Sequence, residues 1–225
     1  NLVSDGLLRK SFVTFTKIYL KTTDNAAKIQ AGNYSIPKNL SIKELITTLQ
    51  DGKEQDIWVT IPEGLRKDEI AKIISTELSK IETSSFSSEE FLTLTTDEEF
   101  IGTLELTPPV KDLEGFLFPD KYALAPNSTT KSVIEVLVNN FKKKVKTEYS
   151  YDDIVMASIV EREGYTAQDR PIIAGILLKR LSEGWLLQAD ATLLYPVKDW
   201  KHDITVQDKG NDNPYNTYKK NGLPP

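Results

Sequence analysis

Apolar residues recur at helical spacing along much of the chain. Leu8, Phe12, Phe15 and Tyr19 lie three and four apart, which predicts a helix over residues 7–21. Ala31-Gly32-Asn33-Tyr34-Ser35-Ile36-Pro37 reads as a turn and a short strand. Ser41, with Glu44 three residues on, forms a capping box that opens a second helix, and Gly52 closes it. Ile57 to Ile61 is β-branched and aromatic, a strand, and Pro62-Glu63-Gly64 is a turn. Lys67 to Lys80 is amphipathic through Ile70, Ile73, Ile74 and Leu78. Residues 82–107 are acidic, rich in Ser and Thr, and predict short helices. Phe116 to Ala123 is aromatic and strand-like. Thr130–Lys146, Tyr151–Glu163 and Arg170–Glu183 predict three more helices, the last two closed by Gly164 and Gly184. Strands interspersed with helices, with few βαβ repeats, point to an α+β fold. A boundary near residue 56 separates a small N-terminal module, 1–56, from a larger domain, 57–225.

Composition narrows the chemistry. The chain has 225 residues, 39% hydrophobic and 27% charged, with a formal net charge of -5. That leaves room for one large domain or two smaller ones. Lys142-Lys143-Lys144 is too short for a nucleic-acid footprint and reads as a solvated helix face. There is no cysteine and a single histidine, His202. This excludes disulfides, Cys/His zinc sites and thiol nucleophiles. A Ser-His-Asp triad would need His202, which sits in a polar, loop-like stretch without a nucleophile motif. Carboxylates are therefore the expected proton-transfer groups, with no metal or cofactor. No stretch reaches the roughly 18 apolar residues of a membrane span, and no signal peptide is visible. The chain starts and stops like a trimmed piece, so such missing signals say nothing of a longer protein.

Ser150 to Gly164 carries the strongest chemical pattern. Ser150 and Asp153 make a capping-box-like start, and early acids suit the helix dipole. Ile154 to Val160 has no charge, which predicts a largely buried helix. Glu161 lies seven residues after Ile154 and four after Ala157, on the same face. A carboxylate ending a buried face is partly desolvated, which raises its pKa toward that of a general acid. Two alternatives stand beside this: Glu161 pairs with an arginine such as Arg180, or Glu163 is the reactive group.

Ala157-Ser158-Ile159-Val160-Glu161-Arg162-Glu163 resembles a signature of the MltG/YceG family of endolytic murein transglycosylases. Other blocks agree in order: Ala31 to Tyr34 with Leu49 to Gly52, Pro62 to Gly64, Leu113 to Tyr122, Leu187 to Thr192, Pro214 to Tyr218 and Gly222 to Pro225. Together they cover nearly the whole chain.

The resemblance implies a lytic reaction on peptidoglycan and puts the catalytic glutamate at Glu161. It would protonate the leaving oxygen of the bond from N-acetylmuramic acid to N-acetylglucosamine. It would then take the proton of the muramic 6-hydroxyl as that oxygen attacks the anomeric carbon, leaving a 1,6-anhydro end. One carboxylate suffices because the nucleophile is already attached to the substrate, whereas hydrolases usually need two. Glycan strands are the implied partner, with peptidoglycan synthases and the elongation machinery beside them. A membrane helix preceding this chain would hold the catalytic domain on the extracytoplasmic side of the cell membrane. Residues 1–56 look LysM-like.

Gln188, Asp190 and Thr192 alternate along an extended segment, so they are expected to share one strand face lining the glycan cleft. Asn216, Thr217 and Tyr218 are plausible sugar hydrogen-bond partners or a structural turn. Glu114 orients Glu161, binds sugar or serves an internal bond. Trp185 and Tyr195 could stack on sugar rings or pack in the core. Ala191, Pro196 and Lys179-Arg180-Leu181 depart from the family pattern. Two rival functions remain: a non-catalytic glycan-binding scaffold, and a muramidase using Asp190 or Glu114 as its second carboxylate.

Overall fold

The computed structural model describes residues 41–50, 56–80, 84–146 and 148–225. The helix expected over 7–21, the turn and strand at 31–37 and the cap at Gly52 lie outside them. Eleven elements follow in order: α1 (Ile42–Gln50), β1 (Ile57–Thr60), α2 (Lys67–Leu78), α3 (Ser88–Leu94), α4 (Glu98–Thr103), β2 (Lys121–Leu124), α5 (Thr130–Lys144), α6 (Tyr151–Glu163), α7 (Asp169–Ser182), α8 (Asp190–Val197) and α9 (Val206–Gly210). The described part is α+β, with helices around a two-stranded antiparallel sheet. β1 runs against β2 with Ile57 opposite Leu124 and Thr60 opposite Lys121.

Local chemistry sets most of these boundaries. Ser41 and Glu44 form the expected capping box of α1, with the Ser41 amide donating to the Glu44 carboxylate at 2.8 Å. Ser87, Asp97 and Thr129 cap α3, α4 and α5 by accepting from the third residue on. Ser150 and Asp153 cap α6 reciprocally. Thr166 and Asp169 do the same at the start of α7, and Pro171 falls in its first turn, where its missing N–H costs nothing. The aromatic stretch from Phe116 makes strand only from Lys121. Leu113 to Phe116 is instead a turn, closed by the Phe116 amide donating to the Leu113 carbonyl.

The core has two parts. The larger is built by β1, β2 and α2 to α5, and includes the fully buried Val59, Ile74, Phe91, Leu113, Phe116, Ile134 and Leu137. The second holds Val155, Met156, Ile159 and Val160 of α6, Leu177 of α7, and Leu187 and Ala189. Helix α6 joins them: Ile154 at its start packs on the larger cluster, while the next turns build the smaller one.

Gly115 makes that junction possible. A β-carbon there would sit 2.6 Å from Ile154 Cγ2, and its φ is +83°. A side chain is excluded both by space and by backbone conformation. Gly115→Ala is therefore expected to destabilise the fold by about 1–3 kcal/mol, the usual range for overpacking. Urea denaturation measures this, and the cost of Gly115→Ala should shrink in an Ile154→Ala background, where the methyl it meets is gone. An alanine variant as stable as the parent would show that the loop and α6 are not in fixed contact.

Candidate active site

A cleft of about 640 Å³ lies between the two clusters. Its floor is the face of α6 that carries Ile154, Ala157, Ser158 and Glu161. The sequence predicts that this face is buried. In the structure Val155, Met156, Ile159 and Val160 are the buried set, while Ala157 and Ser158 are exposed in the cleft. Their small side chains leave the space open. Glu161 is half-buried rather than enclosed, with 29% of its side chain exposed.

Arg170 at the start of α7 is the partner of Glu161. Its Nη2 donates to Glu161 Oε1 at 2.8 Å. The arginine singled out by the sequence, Arg180, instead donates to the Leu187 carbonyl at 2.6 Å. The turn at Pro62-Glu63-Gly64 leans on the same site. A β-carbon on Gly64 would lie 3.8 Å from Glu161 Cγ, and the Gly64 carbonyl accepts from Arg162.

Glu163 has a different occupation. Its Oε1 accepts from the Ala191 amide at 3.0 Å, satisfying a free N–H in the first turn of α8. This carboxylate holds one element to another, and Glu163 does not line the cleft. Of the two glutamates at the end of α6, Glu161 is the one that lines the cleft.

Glu114 is a second carboxylate of the cleft. It accepts from the Lys67 backbone amide at 3.0 and 3.3 Å and from the Tyr195 hydroxyl at 3.1 Å. Burial pushes its pKa up to about 7 against these bonds and the Lys67 charge, with the nearby Asp112 carboxylate adding to the rise. Burial and the Glu114 carboxylate also push the Tyr195 hydroxyl up. Tyr195 packs on Tyr215 with ring centroids 5.1 Å apart.

The 188–196 wall corrects the sequence reading. Gln188, Asp190 and Thr192 do not share a strand face, because Asp190 opens helix α8. Gln188 is exposed with φ +53°, and its amide donates to the Thr217 carbonyl. The Asp190 carboxylate accepts from the Tyr218 hydroxyl at 2.5 Å. Thr192 is buried, bonded to the Ala189 carbonyl at 2.7 Å and to Thr217 Oγ1 at 2.9 Å. Three consecutive residues, Ala191 to Leu193, are buried, which a half-exposed strand cannot do. Pro196 does not break α8 because it is the penultimate residue and forfeits one bond. Asn216 is fully buried, and its Nδ2 donates to the carbonyls of Asp208, Lys209 and Asn211. Thr217 Oγ1 accepts from the Ala189 amide at 3.1 Å. Of the residues named from the sequence, Glu161, Glu114, Thr192 and Tyr195 line the cleft. Gln188, Asp190, Asn216, Thr217, Tyr218 and Trp185 do not.

Two lining residues carry no sequence signal that singled them out. The Arg66 and Arg162 guanidinium groups lie over the Trp200 ring, 5.1 and 3.7 Å from its centroid, and its indole N–H donates to Glu69 at 3.2 Å. Arg170 is recognisable only from its contact with Glu161. His202 bonds Asp208 at 3.0 Å and does not line the cleft. Among the described residues no group of three or more His, Asp or Glu is placed to hold a metal ion.

Residues 1–225 match the sequence model of the YceG-like family. The chain belongs to the YceG-like family. An endolytic murein transglycosylase of Streptococcus pneumoniae is 31% identical over 254 residues, covering 98% of this chain and 45% of the relative. One from Bacillus subtilis is 29% identical over 223 residues, covering 89% of this chain and 60% of the relative. The chain thus spans about half the length of the curated relatives it matches. A crystal structure described as yceG-like, from Listeria monocytogenes, superposes with a TM-score of 0.64 at 26% identity, over 99% of this chain and 78% of that one.

The Glu114 environment sets a pH dependence of stability. Its folded pKa is raised above that of an unfolded glutamate, so its favourable contribution is full below the unfolded pKa of about 4.3 and is lost as pH rises through about 7. Glu114→Gln keeps the shape without the charge. Thermal denaturation should therefore show the variant gaining on the parent between about pH 5 and about pH 8. A pH-independent difference would show that Glu114 is not desolvated.

Proposed function

We propose that this YceG-like protein is an endolytic lytic transglycosylase of peptidoglycan glycan strands, with Glu161 as its acid and base. The observation that carries the reading is Glu161 itself. It stands at the end of the cleft floor, oriented by Arg170, while the neighbouring Glu163 is committed to α8. The names of the relatives support the same chemistry.

Glu161 gives its proton to the oxygen leaving the anomeric carbon of N-acetylmuramic acid. The 6-hydroxyl of that sugar then attacks the carbon, and Glu161 takes the hydroxyl proton. The bond to N-acetylglucosamine breaks, the bond to O6 forms, and the carboxyl returns to its starting form. The cleft contributes by holding the sugar so that its own hydroxyl is in line. Glu114 is the sugar contact in this reading. Thr192, buried and bonded to Ala189 and Thr217, supports the wall behind it together with Gln188, Asp190, Asn216, Thr217 and Tyr218.

Residues 57–225 form the catalytic unit in this reading, and 1–56 form a LysM-like module that reads glycan. Among the described residues no helix is long and apolar enough to cross a membrane. A membrane helix before the chain would place the cleft on the extracytoplasmic side, within reach of peptidoglycan synthases and the elongation machinery.

Glu161→Gln should keep the fold and lower strand cleavage by at least about 10²–10⁴-fold, the usual worth of a positioned acid–base group. Mass spectrometry of glycan strands digested by the parent protein reads the products. Anhydro ends are expected. Reducing ends would mean hydrolysis, and no cleavage would mean a glycan-binding scaffold. Full activity in Glu161→Gln would overturn the assignment.

A further inference from the structure

Resting on the reading of the cleft as a glycan site, we propose that the Glu114–Tyr195 pair, in its acid form, positions the substrate by donating a hydrogen bond from its surplus O–H to an acceptor oxygen of the bound sugar.

The argument begins with a count of donors. The Glu114 carboxyl already receives the Lys67 amide on both oxygens and the Tyr195 hydroxyl on Oε2. As a carboxylate it satisfies both donors. As an acid it brings one more proton to oxygens that already receive donors, and the nearby Asp112 carboxylate is taken up by Lys67 Nζ and the Glu114 amide. If Glu114 donates to Tyr195, the tyrosine proton is released instead. In either arrangement the pair has one surplus O–H. Both residues line the cleft, so a ligand oxygen there can accept a hydrogen bond from that O–H. Sugar acetamido carbonyls and hydroxyls are such oxygens.

The surroundings keep the acid form populated. Glu114 faces Lys67 and Arg66 from the α2 end, Asp112 from its own loop, Tyr151 from α6, Tyr195 from α8 and Tyr215 from the C-terminal loop. Lys67 is already engaged by Asp112, with Nζ 2.6 Å from Oδ2, and Arg66 by Asp68 at 2.8 Å. Neither cation reaches Glu114 with its side chain. With desolvation dominant, the carboxyl titrates at about 7. Neutral pH therefore finds both forms present, and a ligand that accepts a hydrogen bond from the acid form draws the pair to that form.

The placement relative to Glu161 suits a positioning role. Gly115 touches Ile154, and Glu161 lies seven residues further along α6, about 10 Å along the helix axis. Glu161 stands on the α6 floor, Glu114 on the loop that meets the start of that helix, and both line the one cleft. Glu161 acts at the bond that breaks, and Glu114 holds the strand beside it.

The test uses the Glu161→Gln chain, which binds without cleaving, and a defined oligomer of alternating N-acetylglucosamine and N-acetylmuramic acid. Calorimetry near pH 5.5 and near pH 8.5 should show affinity about tenfold or more weaker at the higher pH. Adding Glu114→Gln, whose amide donates at every pH, should abolish that dependence and keep binding tight. In parallel, carbon NMR of Glu114 in the single variant should show its pKa rising when the oligomer is added, a readout that does not depend on the second variant folding. Affinity equal at both pH values, or a Glu114 pKa that falls or stays fixed, would overturn the proposal and leave the cleft as a glycan site. No binding at either pH would overturn both.

Discussion

Helix α6 belongs to two hydrophobic clusters at once, and the site depends on that sharing. Ile154 is packed in the larger cluster, and Val155, Met156, Ile159 and Val160 build the smaller one. A helix has only a limited apolar arc, so the face left between the two clusters cannot also be buried. That face carries Ala157, Ser158 and Glu161, and it becomes the cleft floor. Gly115 sets how closely the larger cluster approaches, because nothing larger than hydrogen fits against Ile154. The cleft is thus a consequence of joining two cores through one rigid element, and Glu161 is held on a helix rather than on a loop.

The carboxylates near this floor are sorted by what already bonds them. Glu163 is engaged by a backbone amide of α8, and Asp190 by the Tyr218 hydroxyl. Glu161 has a cationic partner and open space beside it. Glu114 has neutral donors and little water, so its charge is disfavoured. Chemically similar groups within one region therefore differ in what they offer a ligand. Trp200 adds a wall by a different route, packed against the Arg66 and Arg162 guanidinium groups and bonded to Glu69, which ties the segment after α8 to both α2 and α6.

The wall at 188–196 shows where local pattern misleads. Three polar residues at alternate positions are too few to distinguish a strand from the entry to a helix. Here the Glu163 carboxylate, 28 positions earlier in the chain, satisfies the Ala191 amide and favours the helix. Asn216 and Thr217 look like ligand contacts in a polar motif, yet both are buried and serve neighbouring backbone.

By itself, the sequence determined the elements whose signals are local. The capping boxes at Ser41 and Ser150, the limits of α6, the strand at Ile57 and a glutamate that follows the charge-free run from Ile154 to Val160 are all written within a few residues of where they act. Tertiary structure alone decided that Arg170 and not Arg180 meets Glu161, that the α6 face is open, that residues 190–197 are helical, and that Trp200 joins the cleft. The reason is physical. Helix propensity and capping act over a turn or two of chain, whereas the partner of a charged side chain is chosen by which distant surfaces pack together, and no local period encodes that choice.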